Sequence, residues 1–197
     1  MKPVIVENAI PKQYQDEIQG MVMSNNFPWT TVHEKYADGT CSWSFSYLAL
    51  NDGPDRAPLS TAMPAANLLM PIAYTMAEKI GKKLTKILRI RIGLLLPSPA
   101  IAPSAEDLQF MTPSYGGDEP HIDFWCPQYT GLYYINSSDG DTVIFNETQE
   151  SDNYTEQVRS RSIRGNICVF DGAHYHASTK PTNTYGRLVV SYNFTAE

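Results

Sequence analysis

Cysteine is scarce and badly placed for structural work in this 197-residue chain: Cys41, Cys126 and Cys168 are odd in number, far apart, and form no C-x-x-C pair. That pattern gives no disulfide framework and no cysteine-built zinc site. Long apolar runs are missing as well, and no stretch approaches the roughly 20 residues that a membrane-spanning helix needs. Positive charge is in short supply, with 15 Lys and Arg against 21 Asp and Glu and a net charge of −6. Nucleic acid is therefore not the expected partner, because backbone phosphates are bound by clustered cations. The opening Met1-Lys2-Pro3-Val4-Ile5-Val6-Glu7 carries no signal-peptide pattern. Together these absences lead to the expectation of a soluble protein of the reducing cytoplasm.

What is present is a sizeable core. Apolar residues make up 42% of the chain and 12 tyrosines are spread along it, the composition of a folded domain rather than a disordered tail. The length suits one domain, residues 1–197, with no room for a second full one.

The first half reads as mixed. Residues 11–23 carry Tyr14, Ile18 and Met21 at helical spacing, and residues 64–80 carry Leu68, Ile72, Met76 and Ile80 on one helical face. Pro71 should kink this second helix or mark its true start, and Gly81 supplies a C-cap. Between them, Trp43, Phe45 and Tyr47 alternate as in a strand. Residues 87–96 form the next expected strand. Residues 98–120, rich in Pro, Ser and Gly, are too long for an ordinary connection and read as a cover over an active site. The second half reads as all-β. Short segments at 121–125, 131–136, 142–145, 158–163, 166–170, 174–177 and 187–194 are separated by turn signals such as Ser138-Asp139-Gly140-Asp141 and Arg164-Gly165. Many short strands with such punctuation make a barrel or jelly roll.

Chemistry concentrates in that half. In His121-Ile122-Asp123 the outer residues share one face if the segment is extended, offering two ligands of a two-His-one-carboxylate metal site with open positions opposite. An H-x-D tripeptide alone is a weak signal, since a surface His beside a turn Asp is the commoner case. Further on, His174 and His176 are both candidates for the missing histidine, and alternation does not choose between them. In the last strand Arg187, Val189, Ser191 and Asn193 alternate with the apolar Leu188, Val190, Tyr192 and Phe194. An Arg facing a barrel interior is costly unless an anion meets it; a dicarboxylate would do so through a charge-assisted pair. The competing reading puts Arg187 at an exposed strand end. Arg89 and Arg91 alternate too, and solvated strand arginines are the expectation there, with an acidic substrate as the alternative.

The order H-x-D, distal His, then Arg resembles the Fe(II)/2-oxoglutarate-dependent oxygenases, and within them the prolyl-hydroxylase type. The resemblance runs from about Arg89 to Phe194. It includes Gly131-Leu132-Tyr133-Tyr134-Ile135-Asn136, similar to the family's strand after H-x-D, and Gly140-Asp141-Thr142, similar to its turn into the next. It implies a mainly β fold with flanking helices, the double-stranded β-helix or jelly roll, with 1–86 as N-terminal strands and supporting helices and 87–197 as the β-helix core. It implies a catalytic metal triad of His121, Asp123 and His176, the distal histidine being chosen by Asp171 five residues before it, by Pro181 after it, and by its eleven-residue distance from Arg187. Arg187 then binds the 2-oxoglutarate co-substrate and Tyr134 adds a hydroxyl to the same carboxylate, unless Tyr134 is only a core aromatic.

Fe(II), 2-oxoglutarate and O2 are thus the implied cofactors. The implied activity is hydroxylation of a peptide side chain, proline among them, or of a small molecule, with the oligomeric state left open. Two departures make a prolyl substrate unsafe to transfer: Leu94-Leu95-Leu96-Pro97 stands where some prolyl hydroxylases have a co-substrate tyrosine, and Asn193 stands where an aromatic is common. A cupin-like metal-binding jelly roll without oxygenase chemistry is the alternative, suggested by His174-Tyr175-His176 but lacking the usual following Glu. A non-catalytic interaction domain is a third reading.

Overall fold

The computed structural model describes residues 1–35, 41–53, 64–97 and 119–197; most of the expected cover, 98–120, lies outside them. Alternation in the sequence has become two antiparallel sheets. The large sheet contains β1 (Val4–Val6), β2 (Thr30–Lys35), β3 (Cys41–Asn51), β4 (Leu84–Leu95), β5 (Tyr129–Tyr134), β8 (Ile167–Asp171) and β10 (Arg187–Ala196), in the order β1-β8-β5-β10-β4-β3-β2. The small one holds β6 (Asp141–Phe145), β7 (Glu156–Arg161) and β9 (His176–Ser178), in the order β7-β6-β9. The large sheet's inner face packs against the small sheet, giving the expected jelly roll.

Its outer face is covered by α1 (Lys12–Val22) and α2 (Pro64–Lys79). The main core lies here: Ile18 and Val22 of α1 and Leu69, Ile72 and Met76 of α2 pack on Ile90, Ile92, Tyr133, Val190, Tyr192 and Phe194. The buried stripe of α2 is wider than the expected one and shares its centre. Ala65, Ala66, Leu69, Ile72, Ala73, Met76 and Ala77 are its buried residues; Ile72 and Met76 of the expected face are among them, while Leu68 and Ile80 are only partly covered. Pro71 neither starts nor stops the helix. Its ring crowds the preceding turn and it lacks an N–H, and in that turn two carbonyls accept hydrogen bonds from outside: Leu68 from the Tyr14 hydroxyl and Leu69 from the Tyr192 hydroxyl at 3.1 Å.

Two strands had no clear signal. β1 is three residues long and β2, Thr30-Thr31-Val32-His33-Glu34-Lys35, is largely polar; both are edge strands of the large sheet. One expected strand is absent. Residues 121–125 make a single bridge, His121 to His176, and then bend away. No helix among the described residues is long and apolar enough to cross a membrane.

Candidate metal centre

Strand β10 organises the inner face. Its register sets Asn193 beside Thr130 of β5 and Arg89 of β4, and Val189 beside Tyr134 and Gly93. Arg187, Val189, Ser191 and Asn193 consequently point towards the small sheet, and the apolar partners point into the main core, as their alternation predicts.

At one end of this face His121, Asp123 and His176 converge, with one potential ligand atom from each within 4.8 Å of the others. The loss of strand geometry after His121 does not separate the pair, because reciprocal backbone hydrogen bonds of 3.0 Å tie His121 to His176. Their rings lie 4.7 Å apart. Each imidazole turns Nδ1 to a backbone carbonyl, His121 to Glu119 at 2.9 Å and His176 to His174 at 3.3 Å. A carbonyl only accepts, so Nδ1 carries a proton, and in the neutral ring Nε2 is left with a free lone pair. Two imidazole Nε2 atoms and a carboxylate suit a divalent first-row metal.

Burial, and then the neighbouring His121, pull His176 down to about 4 against the opposing effect of Asp123, so its ring is neutral at physiological pH. For Asp123, burial alone would raise the pKa, yet the carboxyl is held well below the usual range by His176, Arg89, the Asn193 hydrogen bond and His121. With His176 neutral, Arg89 and Asn193 are the groups that keep Asp123 ionised around pH 7.

That role corrects the expectation for Arg89. It is not a solvated strand arginine: it is 7% exposed and paired through Nη2 with Asp123 Oδ1. Its Nε donates to Asn193 Oδ1 at 2.9 Å, and its guanidinium lies over the Phe124 ring at 5.0 Å. Asn193 Nδ2 donates to Asp123 Oδ2 at 2.9 Å and to Gln128 Oε1 at 3.0 Å. Asp123 Oδ2 is the oxygen on the His176 side, 3.7 Å from Nε2. The departure at Asn193 is thus part of an amide–guanidinium bracket around the carboxylate. The sequence carried one clue, that Arg89 and Asn193 alternate with apolar residues on strands whose other faces are apolar. Arg91 is bound differently, its Nε donating to Ser46 Oγ at 2.8 Å.

His174 is not in the cluster. It sits in the bend before β9, with Nδ1 on the Phe145 carbonyl at 2.9 Å, so the expectation that both histidines share a strand face does not hold.

At the other end Arg187 is fully buried, which excludes the exposed strand-end reading. Its Nη2 donates to Thr142 Oγ1 at 2.5 Å and Nη1 to Ser178 Oγ at 3.1 Å. Its guanidinium lies 5.7 Å from the centre of the Tyr134 ring. The Tyr134 hydroxyl donates to Ser160 Oγ at 2.8 Å, and burial pushes its pKa up to about 12, so it remains a donor. Gly140 is what lets the chain close here: a Cβ on it would lie 2.7 Å from the Thr179 carbonyl oxygen and 3.0 Å from Arg187 Cδ. Between the two ends the walls are apolar, formed by Leu132, Ile144, Cys168, Phe170 and Val189.

No family model matches the sequence, and no curated protein matches it in sequence. Solved structures do match. A 2OG-Fe(II) oxygenase family oxidoreductase from Burkholderia pseudomallei superposes with a TM-score of 0.66 at 14% identity, over 98% of this chain and 84% of that one. The fold is that of the 2OG-Fe(II) oxygenases. Prolyl hydroxylases share it: the Trichoplax adhaerens enzyme, solved with a hypoxia-inducible-factor peptide fragment, gives 0.58 at 13% identity over 98% of this chain and 82% of its own. A Pseudomonas putida prolyl-4-hydroxylase gives 0.57 at 11% identity over 99% and 92%. At such identities the likeness is one of fold, and the side chains above have to carry any statement about chemistry.

Proposed function

We propose that this chain is a non-haem Fe(II)- and 2-oxoglutarate-dependent dioxygenase that hydroxylates a peptide side chain or a small molecule. The observation that carries the reading is the pairing of a two-His-one-carboxylate cluster with a fully buried arginine on the same inner face. Arg187 reaches Ser178, two residues beyond His176 on β9, a separation of about 7 Å along a strand. That is the scale of a five-carbon dicarboxylate lying between the cluster and the guanidinium.

His121, Asp123 and His176 would hold iron(II), His121 and His176 through Nε2 and Asp123 through Oδ2. Iron bound there supplies the activation of O2 that is coupled to decarboxylation of 2-oxoglutarate to succinate and CO2. Arg187 neutralises and orients the distal carboxylate of the co-substrate, with Tyr134 and Thr142 as further hydroxyls beside it. Arg89 and Asn193 hold Asp123 in its ionised form, and the apolar wall of Leu132, Ile144 and Val189 limits access of water. The cupin-like alternative loses its support, since His174 of the H-x-H pair is turned to the Phe145 carbonyl.

Calorimetric titration of 2-oxoglutarate into the protein with and without Mn(II) tests the reading. Binding should require the metal, and Arg187→Met should weaken it by about 100-fold, the range for losing one partner of a buried charge pair. Metal-independent binding, or binding indifferent to Arg187, would sink it.

A further inference from the structure

His121 also lines a surface cleft of about 250 Å³. Trp125, Tyr154 and Tyr175 give it aromatic walls, Pro120 and Ile122 aliphatic ones, and Glu150 its formal charge. The volume is below the roughly 300–1,000 Å³ of pockets that enclose whole small molecules, so the cleft suits one side chain of a longer ligand. Trp125 is 83% exposed, a large indole left in water at the rim of a concavity. Tyr154 is braced between Phe145 and Tyr175, with ring centres 5.2 Å away on both sides, so this wall is ordered before anything binds.

Among the described residues that line the cleft, the one side chain of fixed charge is Glu150, an acid. From Glu147 to Glu156 the loop holds four acids and neither Lys nor Arg. Glu156 is paired with Arg159, and Glu147 is occupied by the Thr155 backbone and hydroxyl. None of the ion pairs among the described residues uses Glu150, the acid that faces the cleft. Aromatic faces combined with an available carboxylate select a cation, because the ring quadrupole and the charge attract the same group. An alkyl stem would lie on Ile122 and Pro120 while its charged head meets Glu150.

We propose that this cleft is the subsite for a basic residue, lysine or arginine, of a peptide substrate, anchoring the peptide alongside His121. Its standing as a substrate subsite rests on the dioxygenase reading; the binding preference does not.

The test uses the full chain and four pools of degenerate nine-residue peptides whose central residue is fixed as Lys, Arg, norleucine or Glu, with affinity read by fluorescence anisotropy. The Lys and Arg pools should bind about tenfold more tightly than the norleucine pool, the value of one well-placed cation–π and carboxylate contact. Trp125→Ala and Glu150→Gln, both at exposed positions that the fold does not depend on, should each reduce that preference, and together abolish it. Equal binding of the norleucine pool, tighter binding of the Glu pool, or a Lys preference that survives the double substitution would overturn the proposal. These titrations need neither metal nor 2-oxoglutarate, so failure of metal-dependent 2-oxoglutarate binding would remove the dioxygenase reading while leaving this result standing, and the reverse holds too.

Discussion

Arg89 and Asp123 form a buried ion pair, with Asn193 bonded to both: its Oδ1 accepts from Arg89 Nε and its Nδ2 donates to Asp123 Oδ2, each at 2.9 Å. The carboxylate proposed as a metal ligand is therefore already desolvated, ionised and oriented by the protein itself. A buried pair of this kind contributes little net stability against an apolar replacement, but breaking it from one side leaves an uncompensated charge.

Arg89→Ala should accordingly destabilise the metal-free protein by about 3 kcal/mol, measured by urea denaturation at pH 7. It should also weaken Mn(II) binding by about 10–100-fold, the usual cost of losing a group that orients a ligand. The Mn(II) loss should grow as pH falls from 8 to 6, because the unpaired carboxyl of Asp123 would take up a proton more readily. A variant with unchanged stability and metal affinity would show that the bracket is incidental.

Gly140 is expected to be intolerant of even one added carbon. Its Cβ would meet backbone atoms, Thr179 O at 2.7 Å and Pro181 N at 3.0 Å, as well as Arg187 Cδ. Overpacking against backbone typically costs about 1–3 kcal/mol. Gly140→Ala should lower the thermal midpoint and, by displacing Arg187, weaken 2-oxoglutarate binding with no change in Mn(II) affinity. Differential scanning calorimetry and the two titrations separate these effects; a loss of metal affinity as large as that of 2-oxoglutarate would contradict the assignment of the two ends.

Acid should loosen the turn that carries Arg187. Asp139 accepts hydrogen bonds from the Thr182 hydroxyl at 2.6 Å, from the Thr182 and Asn183 backbone at 2.9 Å each, and from the Thr184 hydroxyl at 2.9 Å. The Thr182 hydroxyl and backbone bonds hold its carboxyl well below the ordinary range, against a smaller opposing effect of burial. A depressed folded-state pKa means that the contribution is complete above the unfolded value, about 3.9, and is lost as pH falls from there towards the folded value. Denaturation midpoints at pH 7, 5 and 3 should fall in the native chain chiefly between the last two. In Asp139→Asn they should start lower and fall less; parallel curves would show that Asp139 does not contribute.

Which parts were legible depends on how local their cause is. The two faces of β10, including an inward arginine, follow from a period of two that any reader of residues 187–194 can count. His121 and Asp123 were found through the same geometry, although the backbone there is one bridge and a bend, and the tie to His176 does what the strand was expected to do. Arg89 was misjudged because its partners are 34 and 104 positions away, and alternation alone does not say whether the polar face of its strand meets solvent or another sheet. The stripe on α2 was half found, at Ile72 and Met76; the rest is filled by Leu69 and by Ala65, Ala66, Ala73 and Ala77, which are buried without standing out as core residues. β1 and β2 were invisible for a related reason: edge strands need only one neighbour and little apolar content.

Every other strand of both sheets precedes β10 in the chain, yet β10 occupies the centre of the large sheet, between β5 and β4. During synthesis the halves on either side have no partner for their inner edges until residues 187–196 emerge. Arg187 and Asn193, one at each end of the inner face, arrive with that strand. The site therefore waits on pairings far apart in the chain, which are slow to form. A ribosome-bound chain stopped before residue 187 would present the two histidines and Asp123 with Arg89 but without the Asn193 amide, and without Arg187 at the other end.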